Sequence, residues 1–365
     1  MFAVRWSTAS MLVLVLVVVL SLASAGGRAT GDAGESTLGP LPRDMQNHTF
    51  VFIVGAHHSG TTLLDLVLCQ HPNMTCLMDT GVSENEGQHL QHVYTADNKL
   101  GGVFRYGFSP QSYLNDTSPL LTLSNRRSIF DAWAAFWNMS RPVLIEKSPS
   151  HMVKMKFFQA MFTPQRTVFL FMLRHPLGAT HYSYVRHPPH ADCGARLVEH
   201  WLVIHDQAVR DLPAIQRAAV VQFEAFLGSS DAEARGHVAA LERTLGLQHG
   251  IKVQFDVRYS TNTNTNTNGG GGSGRWRQSL SRFGRRLTEY HGNKHHVRVM
   301  VGTAMAWVRD WQRLMDMKSP ACQRLLETYE ERVNAYGYSL ADPTRVATPH
   351  AMRKYLLSLE AAHLT

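Results

Sequence analysis

Blocks of consecutive apolar residues alternate along the chain with Gly-rich and polar segments. Phe50-Val51-Phe52-Ile53-Val54 is a continuous apolar run, which suits a strand covered on both faces. Residues 63–68 then carry helical apolar spacing directly after a Gly-bounded loop, so this part reads as strand, loop and helix. A second unit begins at Val143-Leu144-Ile145-Glu146-Lys147, passes through a helical stretch at 151–162 and enters a strand at Thr167–Leu173. A helix is expected after Pro176, a further short strand at 219–223, and amphipathic helices at 307–311 and 322–333. Alternation of this kind predicts an α/β fold, a P-loop-like parallel sheet flanked by helices in a single domain.

The apolar run at 11–20 does not belong to that pattern. It follows Arg5 and leads into Ser21-Leu22-Ala23-Ser24-Ala25-Gly26, where Ala23 and Ala25 supply a small-residue cleavage pattern, so residues 1–25 read as a secretory signal peptide. Counted with its Ser and Ala flanks, the segment reaches the roughly 20 residues of a spanning helix, which leaves a retained type II signal anchor of the Golgi as the alternative. Residues 26–48, rich in Gly, Pro and polar side chains, read as a stalk or linker, and the folded domain is expected at 49–345. The stretch TNTNTNTNGGGGSG at 261–274 is too polar and too simple to pack, and is expected to be a flexible insertion. Residues 346–365 form a C-terminal tail.

Composition narrows the compartment and the partner. Asn47, Asn73, Asn115 and Asn138 each open an N-x-Ser/Thr acceptor sequence, in keeping with passage through the secretory pathway. Cys69, Cys76, Cys193 and Cys322 form an even set, which either pairs in an oxidising lumen or stays as buried thiols. A formal charge of +8 over 365 residues favours an anionic ligand or surface. The chain has 20 histidines but no HExxH and no CxxC, so a metal site is not expected.

The segment Gly55-Ala56-His57-His58-Ser59-Gly60-Thr61-Thr62 has the Gly-x4-Gly spacing of a phosphate-binding loop and lies between a strand and a helix. Backbone N–H groups and the helix dipole can hold an anion there. A Walker A loop needs a lysine after its second glycine to reach the outer phosphates of a nucleoside triphosphate. Thr61 holds that position, which argues against ATP or GTP hydrolysis and for a loop that grips one phosphate with Ser59, Gly60, Thr61 and Thr62. Arg174 ends the strand at Thr167–Leu173, at the carboxyl edge where open α/β sheets bind ligands, and a guanidinium there can take a second phosphate in a bidentate contact.

These residues carry a resemblance. VFIVGAHHSGTTLLDLVLCQHP resembles the 5′-phosphosulfate loop of the sulfotransferases that use 3′-phosphoadenosine-5′-phosphosulfate (PAPS), and VLIEKSPSHMVKMKFFQAMFTPQRTVFLFMLRHPLGATHYSY resembles their 3′-phosphate segment. His200-Trp201-Leu202 and RVNAYGYSL are similar to later landmarks of bacterial and algal sulfotransferase-like proteins, and tyrosylprotein sulfotransferases match well in their motifs. The resemblance implies sulfuryl transfer from PAPS, as co-substrate and without a metal, to a hydroxyl acceptor. A protein tyrosine, a glycan and a small metabolite all remain open as that acceptor, and nucleic acid is not an expected partner.

It also implies site residues. His58 stands where the family carries Lys or Arg, and with Lys147 it would neutralise the bridging oxygen as it leaves. Asp79 corresponds to the acidic residue after His71-Pro72 that takes the acceptor proton, with Glu84 and Glu86 as rivals. The family places a Ser eight residues after the strand-end Arg. Tyr182 occupies that position here, so Ser183 and Thr180 are the nearby hydroxyls for the 3′-phosphate. A lumenal binding protein that keeps the fold without turnover is the alternative.

Overall fold

The computed structural model describes residues 38–186, 192–224, 239, 241–247, 306–316 and 319–345. The N-terminal apolar segment, the insertion at 261–274 and the C-terminal tail lie outside the described residues. Five parallel strands form one sheet in the order β2-β3-β1-β4-β5: β1 at Thr49–Gly55, β2 at Met74–Cys76, β3 at Val143–Lys147, β4 at Thr167–Leu173 and β5 at Ala218–Gln222. Helices α1 (Arg43–Gln46), α2 (Thr61–Leu68), α3 (Leu123–Ala134), α4 (Met155–Phe162), α5 (Pro176–Arg186), α6 (Ala195–Asp211), α7 (Ala306–Asp316) and α8 (Pro320–Ala335) accompany the strands, together with several short 3-10 turns.

Successive side chains of a strand point to opposite faces, and in β1 both faces are buried. Phe50, Phe52 and Val54 enter a core with Phe158, Phe162 and Trp133, where the Phe52 and Phe158 rings stack at 4.8 Å and Phe50 meets Phe162 at 4.5 Å. Val51 and Ile53 enter a second core against Leu64, Val67 and Leu68 of α2. The central strands therefore read as unbroken apolar runs, as expected for a sheet covered on both sides.

Two readings of the sequence change, and one left open is decided. The packed chain begins before Thr49, because Leu41 and Met45 are buried and Arg126, itself buried, donates to the Pro40 carbonyl at 3.1 Å. Two apolar side chains in an otherwise polar run suffice to dock the end of the predicted stalk. The helical stretch expected at 151–162 is two elements, a 3-10 turn at Pro149–Val153 and then α4. The break falls at Lys154, whose backbone (φ −133°, ψ 16°) is non-helical. The cysteines pair as Cys69–Cys76, which ties the end of α2 to β2, and Cys193–Cys322, which ties the segment before α6 to α8.

Candidate active site

All five strands are parallel, so their carboxyl ends share one edge, and the predicted site residues emerge there in spatial order, joined by one that was not predicted, Phe223. The loop carrying Asp79 follows β2, Lys147 ends β3, the Gly55–Gly60 loop follows β1, Arg174 follows β4 and Phe223 follows β5. Lys147 pairs with Ile53 and Met172 with Gly55 across the ladders, which sets both cations beside the loop.

Steric demands fix the loop. Gly55 has φ 157°, and a Cβ there would lie 2.6 Å from the Met172 carbonyl oxygen and 2.8 Å from Ser59 Oγ. Gly60 is left-handed at φ 99°, and a Cβ would strike the Phe223 ring at 2.4 Å. Only glycine accepts both the conformation and the approach. Between them the backbone turns with Ser59 N–H donating to the Ala56 carbonyl at 3.1 Å, and His58 takes a positive φ of 61°. Gly60 then caps α2 with no side-chain hydrogen bond, leaving the first N–H groups of an eight-residue helix at the loop. Thr61 is buried and Thr62 half-buried in its first turn, and Ser59 Oγ is buried with no hydrogen-bond partner among the described residues. A buried hydroxyl in that position fits an anion gripped by the loop.

Arg174 closes one side. Its Nη1 donates to the His58 carbonyl at 2.6 Å, and its guanidinium lies over the Phe223 ring, 4.1 Å from the centroid. Burial lowers its pKa to about 10 against the opposing charge of Glu224, so it stays a cation at neutral pH. The backbone around it is pinned by Glu224, which accepts from His175 N–H at 2.9 Å and from Tyr338 Oη at 3.0 Å. His175 is held neutral. Its Nδ1 accepts from Leu177 N–H and its Nε2 lies 3.0 Å from the Ser339 carbonyl, while burial pushes its pKa down to about 3. Thr180 Oγ1 donates to the Pro176 carbonyl at 2.9 Å, so this hydroxyl is engaged by its own helix. Ser183 lies on α5, and its side chain is outside the described residues.

Lys147 closes the other side in a polar interior. Its Nζ donates to the Glu84 carbonyl at 2.8 Å and sits 3.3 Å from Glu86 Oε1, with both side chains buried. Below it, Glu146 accepts from Gly87 N–H at 3.0 Å and meets His151 Nδ1 at 2.8 Å, and His151 Nε2 meets Tyr94 Oη at 2.8 Å. His57 Nε2 lies 2.9 Å from Asp97 Oδ2. Burial alone would raise Asp97, but His57, Gln88 and His89 outweigh it and hold the carboxyl at about 2. Burial acts in the same sense on Asp65 of α2 and prevails there, pushing it up to about 7, with Lys147 opposing the shift and Glu146 adding to it.

Of the three candidate bases, Asp79 and Glu84 are exposed, both with positive φ of 52°, whereas Glu86 is buried against Lys147. His58 is exposed, with its ring 5.7 Å from that of Phe104. His57, Glu86 and Asp97 bring one ligand atom each within 4.8 Å of one another. The Glu86 oxygens face Lys147 and Gln88 and the Asp97 carboxylate faces His57, so each carboxylate of the set already has a hydrogen-bonding partner.

Sequence reasoning missed Phe223, Glu224, Gln88, Asp97 and the role of His57. Their contacts join positions far apart in the chain, and only the Gly-x4-Gly spacing hinted that something had to approach Gly60 closely.

The model of the Sulfotransferase family matches residues 51–248, from β1 through both cations and beyond β5. That is more than half of the chain, and the chain belongs to this family. It is also similar to the sulfotransferase domain of an olefin synthase from Synechococcus, at 16% identity and TM-score 0.34 over 55% of this chain and 74% of that one. A sulfotransferase from Alicyclobacillus acidocaldarius matches at 19% identity and TM-score 0.36 over 55% and 81%. One from Mycobacterium tuberculosis matches at 14% and 0.33 over 55% and 68%. No curated protein matches the chain.

Proposed function

We propose that this chain transfers a sulfuryl group from PAPS to a hydroxyl acceptor in the secretory pathway. The observation that carries the reading is the meeting, at one sheet edge, of an anion loop at the start of α2 with Lys147 on one side and Arg174, bonded to the loop itself, on the other. Two cations flanking one loop suit a donor with two separate phosphates.

In this reading Ser59, Gly60, Thr61 and Thr62 hold the 5′-phosphate, and Arg174 holds the 3′-phosphate with Ser183. Thr180 has the weaker claim because its hydroxyl already serves the helix. The acceptor oxygen attacks sulfur, the bond from sulfur to the bridging oxygen breaks, and adenosine 3′,5′-bisphosphate (PAP) leaves. Lys147 and His58 neutralise the charge that grows on the bridging oxygen, which is the largest service a preorganised site can offer such a step. The acceptor proton passes to a carboxylate. Asp79 is assigned that role, because Glu86 is committed to Lys147 and Glu84 meets Lys147 through its backbone. A protein tyrosine, a glycan and a small metabolite remain the acceptor classes.

Two disulfides among the described residues suit an oxidising compartment. All four sequon asparagines, Asn47, Asn73, Asn115 and Asn138, are exposed and open to glycosylation. The apolar N-terminal segment would be the signal peptide or the signal anchor of a Golgi protein. No helix among the described residues is long and apolar enough to cross a membrane.

The test is transfer of radiolabelled sulfate from PAPS into pooled acceptors, run beside PAP binding by calorimetry. Transfer supports the reading. Binding without transfer to any pool supports the alternative of a lumenal binding protein, which the exposed His58 in place of a fixed cation favours. Neither binding nor transfer sinks both.

A further inference from the structure

The polar groups beneath the loop form one connected set, and its hub is an amide that the roles above leave unused. Gln88 is 1% exposed and lies in the 3-10 turn Gly87–His89. Its backbone N–H donates to Ser148 Oγ at 3.1 Å, and its Nε2 donates to Glu86 Oε2 at 2.7 Å. Its Oε1 accepts from Asp97 N–H at 3.1 Å and from Ser150 Oγ at 2.9 Å. Glu86 is the carboxylate that faces Lys147, and Asp97 is the one that faces His57 of the anion loop.

The neighbours dictate which way the amide points. A carboxylate can only accept and a backbone N–H can only donate, so turning the amide over would set oxygen against Glu86 and NH₂ against the Asp97 N–H. We propose that Gln88 is a positioning residue for sulfuryl transfer, whose single amide ties the counter-ion of Lys147 to the partner of His57 and so fixes the leaving-group cation relative to the anion loop. The proposal rests on the roles assigned above to Lys147 and the loop. Glutamine alone supplies both halves at this length. Methionine has the reach without the polar atoms, and glutamate keeps the acceptor but sets a second carboxylate against Glu86.

The experiment compares full-length wild type with Gln88→Met and Gln88→Glu. The readouts are turnover with labelled PAPS, PAP affinity, and amine acylation followed by mass spectrometry. Lys147 is the reporter, exposed Lys99 the reference for reagent, and buried Lys154 the reference for unfolding. Gln88→Met is expected to lower turnover about tenfold or more, with a smaller loss of PAP affinity, and to raise Lys147 acylation about tenfold while Lys154 stays protected.

In Gln88→Glu the new carboxyl and Glu86 share a proton in the company of Lys147, His89 at 3.7 Å, His57 and Asp97. The acid limb of the turnover profile should then move up by about one pH unit, with Lys147 acylation rising over the same window. A purely structural role would move neither. Wild-type turnover, pH profile and Lys147 protection in both variants would overturn the proposal. If Gln88→Met exposes Lys154 along with Lys147, the whole chain has opened and the Gln88→Glu variant decides. Acylation needs no donor, so the coupling is tested even where the wild type transfers no sulfate, and that failure would count against the sulfotransferase reading alone.

Discussion

On either side of the anion loop a cation is held, by different means. Lys147 stands in a buried polar lattice in which Glu86, Gln88, Glu146 and His151 are all hydrogen-bonded. Arg174 donates to the loop backbone and lies over the face of Phe223, and the loop between holds a buried hydroxyl, Ser59 Oγ, with no partner among the described residues. Networks of the first kind are rigid and costly to disturb. A guanidinium on an aromatic face presents a planar fork whose geometry matches phosphate oxygens. In the proposed reading the Lys147 flank is in place before the donor arrives, and the Arg174 flank is completed by it.

The largest effect expected from this contrast is on Lys147. Lys147→Ala should cut turnover about a thousandfold while PAP affinity falls far less, since the lysine acts on charge that appears during transfer. The variant also leaves Glu86 buried without its cation, so the melting temperature should drop. Steady-state kinetics and calorimetry check both, and an equal loss of affinity and turnover would erase the difference between the flanks. Arg174→Ala should do the converse, weakening PAP about a hundredfold. Adenosine 5′-phosphate, which lacks the 3′ group, should lose much less, and equal losses for both ligands would remove the assignment.

A third test probes the cost of the Lys147 side. Asp65 holds its proton to about pH 7 in the folded chain against an ordinary value of 3.8. The native state then binds more protons than the unfolded chain between those values, so this group lowers stability as pH rises from about 4 to 7, by at most about 4 kcal/mol. Asp65→Asn should melt higher than wild type at pH 8, and the gap should close as pH falls towards 4. The variant-minus-wild-type difference is the right measure, because buried His175, His200 and His205, each depressed to about 3, give the opposite trend. Their stabilisation is present above about pH 6.5 and is lost on acidification towards pH 3. A difference that does not vary with pH would mean that Asp65 is not the group responsible. The smallest effect is expected from shortening 261–274, whose Asn, Thr and Gly composition offers little apolar surface to bury. The melting temperature and PAP affinity should both stay near wild type, and a fall in PAP affinity would show that the insertion serves the Arg174 flank.

Sequence alone made the Arg174 flank easier to foresee. β1 and β4 carry long unbroken apolar runs, and the Gly-x4-Gly spacing and a strand-end arginine lie within or beside them. The edge strand β2 escaped because three residues are too few to show a period. Helix α6 was seen only as the landmark His200-Trp201-Leu202, although Val198, Leu202, Ile204 and Val209 mark its buried side. The polar lattice was out of reach for a different reason. Gly87 meets Glu146 across 59 positions and Lys147 meets Glu86 across 61, and no local pattern couples such partners. Lys147 and Glu86 read singly as a candidate cation and a candidate base, with nothing to say that they meet.

The link between Cys193 and Cys322 spans 129 positions. It makes a covalent ring of everything between, including β5, Phe223 and the repeat at 261–274. A protease that cuts once inside the repeat would therefore leave one molecule, migrating as a single species until a reductant parts it into two fragments. The ring turns a cut in the repeat into one that does not separate the strand ends that carry the site.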